Sequence, residues 1–204
     1  MKKMNFELSE EQKMIQQSVE RFVQENYDLP KRVEISSKDP GYSQEYWSSM
    51  AELGWLGLPF EEKDGGFGGN QIDTLVIMEQ FGKGLVLEPF IANVVLGGGA
   101  IQSGGSEELK KEMLPGLIEG SKQMTLAYAE QQSRFDLEDV ATSARKEGDK
   151  FIINGQKSMV LNAESADHIV VVTRTTGGQV DEEGITLFLV DSDMKGLEIQ
   201  NFLR

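Results

Sequence analysis

The sequence predicts an α+β chain: an N-terminal α-helical bundle followed by a small antiparallel β-sandwich or barrel. Three observations carry this. Apolar residues recur with the 3.6-residue helical period as far as about residue 120. From Met124 onward the period is 2. The short β-type runs there are punctuated by Gly148-Asp149, Asn154-Gly155 and Gly177-Gly178, and such close turn spacing favours antiparallel pairing over a parallel sheet. The helical domain is placed at residues 1–120 and the β-domain at residues 121–204.

Each helix has its own start or stop signal. Ser9 with Gln12 reads as a capping box, and Ile15, Val19, Phe22 and Val23 form one helical face behind it. Pro30 is read as closing that segment. Ser43 caps a second helix carrying Tyr46, Trp47, Met50 and Leu53, and Gly54 ends it. Residues 59–71 read as a glycine-rich loop. A third helix is expected from Ile72 to Phe81, apolar nearly all round and therefore buried, with its stop at Gly82. Pro89 starts a fourth helix. Gly104-Gly105 breaks the chain, Ser106 caps a last helix, and Pro115-Gly116 should distort its end. Expected strands are 123–129, 139–146, 150–153, 156–162, 167–174, 184–191 and 196–202. Asn154-Gly155 is taken as the tightest hairpin, because a type I′ turn needs positive φ at both central residues.

Composition removes several chemistries. No cysteine is present, so thiolate metal sites and cysteine nucleophiles are excluded. His168 is the single histidine, which rules out a His-pair zinc site. The formal charge is −14, from 34 acidic against 20 basic residues, and both halves are acidic. Nucleic-acid binding and membrane insertion are therefore not expected, and no apolar run has the length of a membrane span. A cytoplasmic protein is the expectation. Asp64-Gly65-Gly66-Phe67-Gly68-Gly69 fits neither phosphate-loop pattern and has no strand before it, so it reads as a tight turn.

Three stretches resemble the acyl-CoA dehydrogenase family. They are Trp55-Leu56-Gly57-Leu58-Pro59 running to Gly69; Leu126-Ala127-Tyr128-Ala129-Glu130; and Ile153-Asn154-Gly155 continuing through Lys157 to Met159-Val160-Leu161-Asn162. Gln132-Ser133-Arg134-Phe135-Asp136-Leu137 and Leu87-Glu88-Pro89-Phe90 are similar to the small subunits of pimeloyl-CoA-type dehydrogenases. The resemblance implies an acyl-CoA dehydrogenase-like fold whose C-terminal helical domain is missing, so the β-domain is read as cut short. It also implies FAD as cofactor, an acyl-CoA substrate in fatty acid metabolism, and an electron-acceptor flavoprotein. A homo- or hetero-oligomer with a larger dehydrogenase subunit is implied too. In that chemistry a glutamate removes the α-proton while the flavin takes the β-hydride.

Carried over residue by residue, the resemblance assigns cofactor binding to Tyr128, Ala129, Arg134, Phe135, Met159, Val160 and Leu161. It assigns no catalytic residue within this chain, because the general-base glutamate is expected beyond Arg204; the chain alone is then inactive. Four positions depart from the family pattern. Ala129 and Leu161 stand where hydroxyls are usual, Met159 where a tryptophan covers the flavin, and Phe135 where a serine is usual. Backbone amides survive such changes, and a lost hydroxyl bond is worth about 1.5 kcal/mol at most. Arg134 can supply a guanidinium to a diphosphate instead. A non-catalytic partner subunit with a degenerate flavin site is the alternative reading.

Overall fold

The computed structural model describes residues 7–201, which pack as two compact units. The first comprises the chain through Glu88 together with Ile118–Gly120. Its helices are α1 (Glu10–Asn26), α2 (Leu29–Ser36), α3 (Gln44–Glu52) and α4 (Gln71–Gly84). The expected capping box is present: Ser9 Oγ accepts from the Gln12 amide at 3.1 Å, and Gln12 Oε1 accepts from the Ser9 amide at 3.0 Å. Gln12 also donates to Asp73 Oδ1 at 2.9 Å, and Asp73 closes a second capping box with Asn70 at the start of α4. One side chain thus joins the N-termini of two helices. Further along, α1 passes so close to α4 that a Cβ on Gly84 would lie 2.2 Å from Val23 Cγ1.

Two readings of this unit need correction. Pro30 does not merely close α1; it sits in the first turn of α2, behind the N-cap Asp28, which accepts from the Lys31 amide at 2.7 Å. Proline is harmless there because its missing N–H has no helical partner at that position. In α4 the helix runs on to Gly84, and Ile72 and Leu75 are exposed, so only the Val76, Ile77, Gln80 and Phe81 side is buried. The core is Trp47, Met50, Leu56, Phe60 and Ile77, with Trp55 set edge-on between Phe22 and Phe81. The glycine-rich connection folds back on itself; a Cβ on Gly66 would stand 2.2 Å from the Phe60 carbonyl oxygen, so no other residue fits.

The second unit joins Pro89–Leu117 to the strands from Ser121 onward, with the helical segment at 91–98 packed against the first strand. Residues Ile91–Gly98 are π-helical and continue into α5 (Gly99–Gly104); α6 spans Glu107–Ile118 and passes through Pro115. Asn93, within the π-helical turn, accepts from the Met124 amide at 2.6 Å, and Gly97 lets Met124 approach closely. The strands are β1 (Met124–Ala127), β2 (Ser143–Glu147), β3 (Lys150–Asn154), β4 (His168–Arg174) and β5 (Ile185–Asp191). Ala127, Ala166, Ile169, Val171 and Val190 form a core cluster on this sheet.

The α+β class with helices first is observed, but the sheet is mixed rather than wholly antiparallel. β1 pairs with β4 in parallel, Met124 opposite His168, while β4 pairs with β5 antiparallel over its whole length. The β2–β3 hairpin meets β4 only at Ser143 opposite Arg174. Turn spacing governs consecutive strands; β1 and β4 are separated by the hairpin and a long return, which is enough chain for a parallel pair. The hairpin turn is Gly148-Asp149, not Asn154-Gly155. At Gly155 a Cβ would lie 2.5 Å from Thr142 Oγ1, so the chain leaves the sheet there against another segment. Residues 156–162 form no strand, because Met159 and Asn162 take left-handed backbone conformations with φ of 53° and 56°. The expected strand at 196–202 is absent over 196–201, and its last residue lies outside the described residues.

Glu88, in the first unit, is a buried carboxyl held by the Tyr27 hydroxyl and by the Ser43 amide at 3.1 Å. Burial outweighs these bonds and raises its pKa from 4.5 to about 7. Between those values the folded chain keeps a proton that the unfolded chain has released, so stability falls as pH rises across that window and is level above it. Glu88→Gln removes the titration. Its stability relative to the parent should improve by about 3 kcal/mol between pH 4 and pH 8, read by denaturant unfolding. A pH-independent difference would contradict this account.

Candidate functional site

β1 ends at Ala127, and the next residues run beside the irregular segment that follows β3. The Ser158 amide donates to the Ala129 carbonyl at 2.9 Å, and Thr125 Oγ1 donates to the Leu161 carbonyl at 2.6 Å. Two strips are thereby laid edge to edge in opposite directions, bringing Tyr128 and Ala129 alongside Met159, Val160 and Leu161. Val160 packs on the sheet core. Tyr128, Met159 and Leu161 are exposed, Met159 at 69%. The left-handed turn at Met159 and the neighbouring irregular backbone also leave amides uncommitted. Among the described residues the N–H groups of Ala129, Met159, Val160 and Leu161 donate to no protein acceptor. Arg134 and Phe135 lie in the turn after β1; Arg134 has φ 51° and Phe135 is 99% exposed. No hydrogen bond or ring contact among the described residues ties these two to the strips.

Beneath the strips lies a group that sequence reasoning did not single out. Glu130 and Lys157 form an ion pair at 2.6 Å, with side chains only 3% and 7% exposed. Glu130 also accepts from the amides of Ala141 and Thr142, at 2.9 and 3.0 Å, and from the Gln132 side chain at 2.8 Å. Lys157 reaches the Tyr128 carbonyl at 3.2 Å. The two residues stand within separate matching stretches, 27 positions apart, so no spacing rule pairs them.

Burial alone would raise the Glu130 carboxyl, but the bonds from Lys157, Thr142 and Gln132 prevail and hold it at about 2. Burial pushes the Lys157 ammonium down, and Glu130 opposes that shift. A carboxyl lowered from 4.5 to about 2 contributes stability that is complete above 4.5 and is lost as pH falls toward 2. Glu130→Gln should therefore cost about 3 kcal/mol at pH 7 by leaving the buried ammonium without a countercharge. The deficit should close on acidification to pH 2, where the parent's own carboxyl is protonating. Thermal unfolding of both proteins across pH 2–7 measures this, and a gap that stays constant would refute the assignment.

The other titratable candidates are structural. His168 Nδ1 lies 2.9 Å from Asp191 Oδ1, a cross-strand pair at the start of β4. No cluster of three or more metal-ligating side chains occurs among the described residues. No helix among them is long and apolar enough to cross a membrane.

Comparison with known proteins agrees with this arrangement. Residues 9–121 match the family model described as acyl-CoA dehydrogenase, N-terminal domain, and residues 125–204 match the acyl-CoA dehydrogenase middle domain. The probable acyl-CoA dehydrogenase YngJ of Bacillus subtilis is 32% identical over 199 residues, covering 96% of this chain and 52% of its own length. The FAD complex of PigA superposes with a TM-score of 0.86 at 26% identity, covering 98% of this chain and 52% of that one. The Tcur3481-Tcur3483 steroid ACAD G363A variant gives 0.81 at 25% identity, covering 92% and 49%. The chain spans about half the length of the curated relatives it matches. Helices followed by a β-domain of this kind define a structural class in which the two matched domains stand in this order. Within that class the chain belongs to the acyl-CoA dehydrogenase family.

Proposed function

We propose that this chain is part of an FAD-dependent acyl-CoA dehydrogenase that desaturates a CoA thioester at the α,β bond. The observation supporting this is the paired strip with its uncommitted amides. FAD, when bound, supplies the hydride acceptor. Ala129, Met159, Val160 and Leu161 would hold it through backbone N–H groups, with Tyr128 and Met159 offering apolar surface. Arg134 and Phe135 would meet its diphosphate end. The donor chemistry fits: a main-chain amide can donate to a ring acceptor whatever its side chain is.

Glu130 is no candidate for the base. It is committed to Lys157 and two amides and is ionised down to about pH 2, far from the near-neutral pKa that proton abstraction needs. We therefore assign the base to a group outside this chain and expect these residues alone to give no turnover. The electron acceptor is proposed to be a flavoprotein and the location cytoplasmic. As units of function we keep residues 1–120 and 121–204, close to the ends of the two matched domains.

A second reading is a non-catalytic partner of a larger dehydrogenase subunit, as in the pimeloyl-CoA-type small subunits. Ala129 and Leu161, which lack hydroxyls, and the fully exposed Phe135 favour it. Flavin absorbance separates the two. The full-length chain should purify yellow and bleach on adding acyl-CoA once the base-bearing partner is present. Colour in the pair but none in this chain would establish the second reading, and a colourless pair would exclude both.

A further inference from the structure

We infer that the buried Glu130–Lys157 pair is the positioning device of the flavin strip: it sets where the 157–161 segment lies against the end of β1. The inference rests on the flavin reading above. The strip has few fasteners of its own. The Ser158 amide and the Thr125 hydroxyl hold it at two points, Val160 packs on the sheet core and Asn162 just beyond donates to Gln123 at 2.7 Å, but it forms no continuous ladder. Lys157 stands at the head of the strip. Its ammonium bridges the Tyr128 carbonyl on one side and Glu130 on the other, so both strips are tied through one nitrogen.

Glu130 extends the tie to a third segment. Its two oxygens take the amides of Ala141 and Thr142, where the chain enters β2. Thr142 in turn abuts Gly155, where any side chain would collide with it. The loop after β1, the entry to β2 and the exit from β3 therefore converge on one carboxylate. A buried carboxylate and ammonium with several bonds each tolerate little displacement, since every ångström lost leaves a desolvated charge less compensated. The amides of Ala129 and Met159–Leu161 inherit that placement. Neither charged group faces the open side of the strip, since both side chains are buried. Both are positioning residues rather than catalytic ones.

The test is made on the full-length protein with FAD as the probe. The double variant Glu130→Gln/Lys157→Met removes both charges and leaves no unpaired ion, so it is the variant expected to fold. Its thermal midpoint without FAD should stay close to the parent. Its FAD dissociation constant, from fluorescence titration, should rise at least tenfold, and the visible flavin band should change shape. Glu130→Asp alone, which keeps both charges but shortens the reach of the carboxylate, should give a smaller loss, and it decides the matter if the double variant does not fold. Parent-like affinity, within twofold, and an unchanged flavin spectrum in the deciding variant would overturn the inference while leaving the flavin reading intact. A parent protein that takes up no FAD, alone or with its partner, would overturn the flavin reading itself, and the inference with it.

Discussion

One ion pair carries the organisation of the β-domain. Glu130 and Lys157 come from segments separated by the whole β2–β3 hairpin, yet they meet out of solvent with nearly all their bonding capacity used. A lysine and a glutamate so deeply buried are costly in isolation and become tolerable only when neither is left alone. That requirement constrains the chain far beyond the pair. The turn after β1 must bring Ser133 back onto the Glu130 amide and carbonyl, which it does at 3.1 Å each. The hairpin must enter with Thr142 inward and leave with a glycine beside it. The irregular path of residues 156–162 then follows from geometry: the segment is pinned at its head, and left-handed residues at Met159 and Asn162 let it run beside β1 without forming a strand.

A different device ties the loops beside the same end of β4. Arg174, at the end of β4, is buried and donates to the carbonyls of Glu138, Gln179, Asp181 and Glu183. No carboxylate faces it among these bonds. Four backbone acceptors arranged around a planar cation fix the loop between β4 and β5 and the approach to β2 together. The β-domain therefore spends three charged side chains, Glu130, Lys157 and Arg174, on holding loops, and they converge where the chain enters β2, the Thr142 amide donating to Glu130 and its carbonyl accepting from the Arg174 amide at 2.7 Å. The helical unit instead uses caps, as in the Gln12–Asp73–Asn70 link, and a close glycine contact at Gly84.

What was legible in the sequence divides along the same line. Local signals were read correctly where the structure uses local bonds: the Ser9 box, the Ser43 cap, the Ser106 cap with its bond to the Leu109 amide, and the breaks at Gly54 and Gly105. Short-range rules failed where a distant partner decides. Asn154-Gly155 has the better hairpin chemistry, but the turn falls at Gly148-Asp149, and Gly155 instead lets Thr142 approach the chain as it leaves β3. The β-type pattern at 156–162 was overridden by tethering at Lys157. The parallel β1–β4 pair could not be read from turn spacing, because it joins elements that no turn connects. Five of the seven residues singled out for a cofactor, Tyr128, Ala129, Met159, Val160 and Leu161, lie on adjoining strips, since one backbone bond and one Thr125 hydroxyl bond join the motifs holding them. Arg134 and Phe135 came from a loop whose place depends on tertiary contacts, and the structure leaves them apart.

The degenerate side chains at the strip carry less weight than they first suggest. Recognition through main-chain N–H groups depends on where the backbone runs, and a substitution changes it only by moving the chain. Ala129 and Leu161 remove hydroxyls but impose no backbone demand. Met159 is different, because a non-glycine residue at φ 53° adopts an uncommon conformation. That conformation holds its side chain in solvent and keeps its amide free of the sheet. An unbranched thioether can adapt to an apolar surface, though it gives up more rotamer freedom in doing so than a stiffer residue would. On the proposed reading, methionine in place of the usual tryptophan exchanges a rigid cover for an adaptable one. On the proposed flavin reading, binding depends first on the clasp under the strip and only second on the side chains above it.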